Sequence, residues 1–252
     1  MNKTPLPLEE KKTSIQGQLL NSASSYRKYR RIFIGRRGLW FFFKYEWIIS
    51  WFSGLKGALG FFLRKVFYRK LLKRVGRGVV FGRNLTLRHP HKIEIGDNVF
   101  IDDYAVLDAK GDNNRGIRIG NNCFIGRNTV LSCKEGDIEL DDWVSISNNC
   151  SLLSESRIVI GRHVIIAGHS YLVAGGSHNY DDPNIPIIFQ DSDVKGGIVL
   201  EGDNWLGAGV QVLDGVTIGS GSIIGAGSTV YKGIEKNAIA VGVPALVSKR
   251  RK

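Results

Sequence analysis

Leu200 follows Leu172 by 28 positions, in a region where large aliphatics otherwise recur every six. The intervening VAGGSHNYDDPNIPIIFQDSDVKGGIV holds His178, Tyr180, Asp181, Asp182 and two prolines, with apolar Ile185–Phe189 at its middle. A long loop inside a compact repeat is usually functional or disordered. This composition predicts an ordered loop, 173–199, that packs against something, a neighbouring subunit included. An imidazole that titrates near neutral pH can accept a proton and give it back, although a lone loop histidine is most often simply solvated. The other histidines carry less: His163 and His169 fall at exposed positions of one repeat turn, and His89 and His91 lie in an HPH turn that serves local structure. Cys123, Cys133 and Cys150 show no metal-ligand spacing, and no metal is expected. Cys123 and Cys150 fall four places after Ile119 and Ile146, where small interior residues recur, so they read as reduced packing cysteines.

The repeat that must position the loop is clearest at Ile198–Val230. Leu200, Leu206, Val212, Ile218, Ile224 and Val230 keep an unbroken period of six, with Gly after three of them. That period fits neither a helix nor a half-buried strand; it is the mark of a parallel β-helix. Three hexads make one triangular coil of about 18 residues, which buries its apolar side by stacking on the next coil. The same spacing gives Ile95, Ile101 and Leu107; Ile119, Ile125 and Leu131; Leu140, Ile146 and Leu152; and Ile160, Ile166 and Leu172. A first strand-like segment falls at Val79–Leu87, and a polar loop at Lys110–Gly116.

The formal charge of +12 is unevenly placed. Residues 1–78 hold 18 Lys and Arg against 3 Asp and Glu, whereas residues 79–252 hold 17 against 20. Residues 1–38 are expected to form a flexible basic tail without a secretory leader. Residues 39–78 are expected to be an amphipathic helical segment. Trp40, Phe43, Trp47, Trp51, Leu55, Ala58, Phe62 and Val66 follow helical steps, and lysines and arginines interrupt the apolar run. The longest uncharged stretch, Trp47–Leu55, is too short to cross a bilayer. Aromatics flanked by cations suit an anionic membrane surface, here through residues 39–74. The competing reading is a helix packed on the β-helix or on a partner. Nucleic acid is not expected, because the basic residues accompany a wide apolar stripe and no recognition motif is present. Residues 249–252 form a basic C-terminal tail.

The hexads, the SHNYDDPNIP loop, NWLGAGV, IGAGSTVYKG and AVGVPA together resemble the hexapeptide-repeat acyltransferases, above all the galactoside, maltose and xenobiotic O-acetyltransferase branch and its relatives in surface-polysaccharide synthesis. The resemblance covers about residues 79–248. It implies an all-β fold, a left-handed parallel β-helix of hexapeptide repeats, here preceded by the N-terminal helical basic-aromatic segment. It also implies acetyl-CoA as donor, a saccharide hydroxyl as acceptor, and a homotrimer with active sites between subunits. His178 matches the family's general base. Trp205, Gly207, Ala208, Ala226, Tyr231, Lys232 and Lys249 match positions that meet the coenzyme. On the acceptor side, Ser147 stands where galactoside-type members carry an asparagine, with Asn149 close by; Glu155 aligns with an acidic residue that binds sugar hydroxyls in those relatives, and Tyr180 of the loop joins them. An arginine common after the G-V-P motif is Leu246 here, and nearby Arg250 is a candidate to replace it. With the basic segment, the resemblance implies a cytoplasmic enzyme peripheral at the inner membrane face, acting on a lipid-linked or cell-surface glycan precursor. N-acylation of an amino sugar stays open. So do a membrane-bound scaffold and, lower, a γ-carbonic-anhydrase-like zinc enzyme; that enzyme needs three histidines across coils, whereas only His163 and His169 lie close, with five residues between them.

Overall fold

A computed structural model describes residues 24–35, 38–190 and 192–251. From Arg74 the chain winds as a parallel β-solenoid with three faces. Face A begins with Arg74–Val75, face B with Val80–Phe81 and face C with Thr86–Arg88. Each strand pairs in parallel with its equivalent one coil away, so faces A and C have seven strands each. Face B has nine, the last added antiparallel. All eighteen aliphatics of the six regular coils, Ile95 to Val230, are at most 2% exposed. The position four residues on is also buried: Cys123, Cys150, Val210, Val216, Ser222 and Ser228 fill it. Asn204 fills it too, its Nδ2 donating to Gly219 O (2.8 Å) and its Oδ1 accepting from Gly202 N–H (3.1 Å). Burial pushes the Cys123 thiol up to about 11 and raises Cys133 and Cys150 as well, which keeps all three as unreactive packing thiols.

The solenoid is longer than the hexads foretell at both ends. Arg74–Val75 pairs with Glu94–Ile95, so the first coil starts at 74 rather than 79. At the other end, a turn through Gly242 and cis Val243–Pro244 returns the chain, and Leu246–Arg250 pairs antiparallel with Ala238–Val241. Lys249 and Arg250 thus belong to an edge strand rather than to a tail.

Before the solenoid lie α1 (Ser25–Tyr29), a π-helical turn (Arg30–Ile34), α2 (Leu39–Phe52), α3 (Gly57–Phe67) and a short 3₁₀ turn. The expected single helical stretch is therefore two helices, broken at Ser53–Lys56. The expected tail is also partly ordered: Ile34 is buried, His89 N–H donates to Phe33 O (2.9 Å), and His89 Nε2 meets Arg31 O at 2.9 Å. Its stretch 1–23 lies outside the described residues.

These helices close the open end of the solenoid. In a parallel β-helix the carbonyls of inward residues point to the preceding coil, as Ile95 O and Ile101 O do toward Gly76 and Gly82. The first coil has no predecessor, so Val75, Phe81 and Leu87, six residues apart, would be left unpaired. Each accepts a side-chain hydrogen bond from the helical layer instead: Val75 O from Arg69 (3.0 Å), Phe81 O from Arg64 Nε (3.0 Å) and Leu87 O from the Tyr45 hydroxyl (2.8 Å). Asn84 N–H likewise donates to Ser53 O (2.8 Å). Tyr45, Ile48, Tyr68 and Leu71 bury against Phe81, Leu85 and Leu87 in one apolar cluster. The helices pack on the β-helix, yet the stripe singled out by its period faces outward: Trp40 is 83% exposed, Trp51 66% and Phe62 59%.

Candidate functional site

The loop leaves face C after Tyr171–Ala174 of the fifth coil and returns at Ile198 on face A of the sixth. Two carboxylates clamp its roots. Gly176 N–H donates to Glu155 Oε2 at 2.9 Å from the coil below. Lys195 and Gly197 N–H donate to the two oxygens of Asp214 at 2.6 and 2.8 Å from the coil above. Gly175, at φ +108°, is held to glycine both by its backbone and by Glu155 Cβ, which a side chain would meet at 2.6 Å. Between the roots, Ser177–His178 pairs antiparallel with Ser192–Asp193. The Gln190 amide Nε2 donates to Asp182 O and Ile185 O, both at 2.8 Å, and draws the distal part together. The result is an ordered hairpin that carries His178 and Tyr180 exposed at its edge and leaves Ile185, Ile187 and Phe189 on its surface.

Glu155 is therefore a root of this loop, with its other oxygen 3.5 Å from Lys134 Nζ. Asp214 does the same work unforeseen; the only sequence signal for it is the D-G corner just after Val212. Tyr231 and Lys232 stand on the same solenoid corner, between faces C and A, two coils further on, with Lys232 Nζ 5.2 Å from the Tyr231 ring centroid.

The remaining residues lie on another corner, between faces B and C. Ser147 and Asn149 occupy its fourth coil, Gly207 and Ala208 its sixth, Ala226 its seventh. Trp205 projects from face B beside them, between Ile165 and Ile223. Here the small residues divide into two kinds. At Gly207 an added Cβ would lie 2.6 Å from Ala226 N, so this glycine serves coil stacking. Gly209 and Gly227 take the left-handed corner conformation (φ +69° and +68°), but so do Asn128, Asn149 and His169 at the same corner of earlier coils. The backbone therefore does not demand glycine. A Cβ at Gly227 would meet nothing within 4 Å, and at Gly209 nothing nearer than 3.9 Å. With exposed Ala208 and Ala226, the two upper coils present a strip of backbone cleared of side chains.

Within the chain the expected site residues thus fall on two corners separated by face C. Lys249 stands apart from both, paired with Ile239 at the edge of face B, and Arg250 is engaged by Glu235 Oε2 at 2.6 Å. His163 and His169 flank the strand Ile165–Ile166 at opposite ends of one face, and among the described residues no group of three His, Cys, Asp or Glu is placed to hold a metal ion.

A three-faced hexad solenoid with one clamped histidine loop is the architecture of the hexapeptide-repeat acyltransferases, and at 33% identity over 70% of a colanic acid biosynthesis acetyltransferase this chain belongs to that family. The family described as bacterial transferase hexapeptide (six repeats) matches residues 197–232. The chain is 32% identical to the galactoside O-acetyltransferase of Lactococcus lactis over 133 residues, 52% of this chain and 62% of that protein, so it spans less than two thirds of that relative. It is 33% identical to Escherichia coli WcaF, described as a colanic acid biosynthesis acetyltransferase, over 54% of this chain and 70% of that one. Among solved structures it is similar to AntD, an N-acyltransferase from Bacillus cereus, in complex with dTDP and 3-hydroxybutyryl-CoA. There the TM-score is 0.53 at 25% identity, over 76% of this chain and 90% of that one.

Proposed function

We propose that this chain transfers an acetyl group from acetyl-CoA to a saccharide hydroxyl, as a homotrimer at an anionic membrane surface. The cleared strip at Ala208–Gly209 and Ala226–Gly227 is the observation that carries the reading. A coenzyme arm can lie along backbone there beside exposed Trp205, with exposed Lys232 on the other corner of the seventh coil. Acetyl-CoA supplies a thioester, an activated acyl carbon with a good leaving group. His178 accepts the acceptor hydroxyl's proton as its oxygen attacks that carbon; the C–O bond forms, the C–S bond breaks, and the proton passes to the departing sulfur. Tyr180 on the loop and Ser147 and Asn149 on the other corner orient the sugar. Glu155 acts through the loop it anchors.

Two observations support a site between subunits. The loop and the cleared strip occupy different corners of one protomer, and the loop leaves Ile185, Ile187 and Phe189 exposed. A second copy set against face C would bring one protomer's loop to its neighbour's strip and cover those side chains. The test is release of thiol from acetyl-CoA in the presence of candidate envelope saccharides, with size measurement of the assembly; a monomer with full activity would sink the intersubunit site. An amino sugar in the same assay decides between O- and N-acylation, the second reading being favoured by the likeness to an N-acyltransferase.

Gly227→Asn separates a coenzyme trench from ordinary corner geometry. The corner tolerates asparagine, so melting is expected to stay unchanged. The KM for acetyl-CoA is expected to rise about tenfold, near 1.4 kcal/mol, from the obstructing amide. An unchanged KM removes Gly227 from the site.

Membrane association rests on the outward faces of α2 and α3. Trp40, Phe43, Trp47, Trp51, Leu59 and Phe62 are exposed there, with Lys56 on the linker and Arg69 and Lys70 just beyond α3. No helix among the described residues is long and apolar enough to cross a bilayer. Rings at headgroup depth with cations on anionic lipid suit a surface-lying segment. Replacing Trp40 and Trp51 with Ser is expected to reduce flotation with phosphatidylglycerol vesicles roughly tenfold or more, at about 1 kcal/mol or more per ring. Undiminished flotation rules this face out.

A further inference from the structure

The end-capping arrangement fixes where chemistry happens relative to that surface. Carbonyls on all three faces of the first coil accept from the helical layer, so α2 and α3 lie across the end of the solenoid. Their exposed aromatics consequently face away along its axis. On face C the loop's exit strand, Tyr171–Ala174, is the fifth from this end, after Thr86–Arg88, Val106–Asp108, Val130–Cys133 and Ser151–Ser154. Four parallel-strand steps of about 4.8 Å place that exit about 19 Å above the first coil. The cleared strip sits one and two coils higher. A packed helix axis adds about 8–10 Å below. The reacting level therefore stands about 30 Å from the aromatic face. The loop roots, Glu155 and Asp214, hold the hairpin at the fourth to sixth coils instead of letting it hang toward the cap. In a cyclic trimer, rotation about one axis leaves all three caps pointing the same way along it, so assembly keeps the stand-off.

Resting on the membrane and acetyltransferase readings above, we infer that the acceptor is a lipid-linked oligosaccharide acetylated on a sugar several units away from its lipid, and that the lipid-proximal sugar is out of reach. The cap sets a height, and the height selects the acceptor by length. A single sugar on a lipid diphosphate ends near the headgroups, well below His178, whereas a longer glycan rises along the solenoid to the loop.

The three native cysteines are buried, so an introduced one can be labelled selectively. The full chain carrying Ser50→Cys on α2 or Asp181→Cys on the loop is labelled with a fluorescent donor and mixed with phosphatidylcholine–phosphatidylglycerol vesicles that bear headgroup acceptors. Energy transfer is expected to be strong from position 50 and several-fold weaker from position 181. In parallel, polyprenyl-diphosphate-linked saccharides from the producing cells are separated into single-sugar and longer fractions and offered with acetyl-CoA to the unlabelled chain on the same vesicles. Thiol release is expected with the longer fraction and lost with the single-sugar one. Equal transfer from both positions, or equal release with both fractions, overturns the inference while the membrane and enzyme readings stand. Failure of the chain to float with the vesicles overturns the membrane reading and the inference with it. Flotation without release from either fraction, but with release from free saccharides, overturns the lipid-linked acceptor alone.

Discussion

His178→Ala is expected to lower kcat by about 10²- to 10⁴-fold, the usual contribution of a positioned general base, and to leave the fold intact. A saccharide hydroxyl is a weak nucleophile at neutral pH, so loss of the group that takes its proton falls on the chemical step. The imidazole is exposed on the hairpin edge, and among the described residues it is the backbone of His178 that pairs, with Ser192. Its removal thus opens no cavity and orphans no buried polar group. Two measurements on one preparation check this: thiol release at saturating acetyl-CoA, and thermal melting. A kcat within a few-fold of the parent, with unchanged melting, assigns the proton transfer to some other residue. Unchanged KM for acetyl-CoA beside the lost kcat marks a group that acts in the transition state rather than in holding the donor.

The fold was legible wherever the hexad was uninterrupted, because one inward aliphatic per six residues is imposed by the triangular coil itself. From Ile95 to Val230 every such residue is interior. Legibility failed where pairing depends on a neighbour in space. Arg74–Val75 is two residues long with a charged first member, and only its partner Glu94–Ile95 makes it a strand. Leu246–Arg250 reads as a basic tail until Ala238–Val241 is seen beside it. In α2 the difficulty is different. Trp40, Phe43, Trp47 and Trp51 form one apolar stripe, Phe41, Tyr45, Ile48 and Phe52 another, and a helix apolar nearly all round does not declare which side is buried. The same limit holds at the site. His178 was visible as a loop histidine, but Asp214, which grips the returning strand, lies 19 residues beyond Lys195 in a hexad of ordinary appearance. The meaning of Gly209 and Gly227 emerges only when the coils are stacked and asparagine and histidine are found doing the same backbone work beneath them.

Arg64→Met is expected to destabilise the folded chain by about 3 kcal/mol or more, although Arg64 lies far from the proposed chemistry. Its side chain is 5% exposed, between α3 and the first coil. Nε donates to Phe81 O at 3.0 Å, and Nη1 to Leu55 O at 2.6 Å and Phe52 O at 3.4 Å. One guanidinium therefore ties together the last residue of α2, the linker and the first turn of the solenoid. Burial lowers its pKa, yet an arginine stays charged. That charge is met by backbone dipoles, the C-terminal end of α2 among them. Methionine keeps much of the apolar stem and removes every donor. At about 1–3 kcal/mol for a buried acceptor left without a partner, Phe81 O accounts for most of the expected loss and the part-buried Leu55 O for the rest. Arg64→Lys should recover part of it, because a single ammonium cannot span the fork of acceptors. Arg69→Gln should cost little: its bond to Val75 O is exposed, and water can replace it. Urea titrations of the three variants give the comparison. If Arg64→Met unfolds at the parental midpoint, the helical layer is not what closes the solenoid, and the height it sets for the active site loses its foundation.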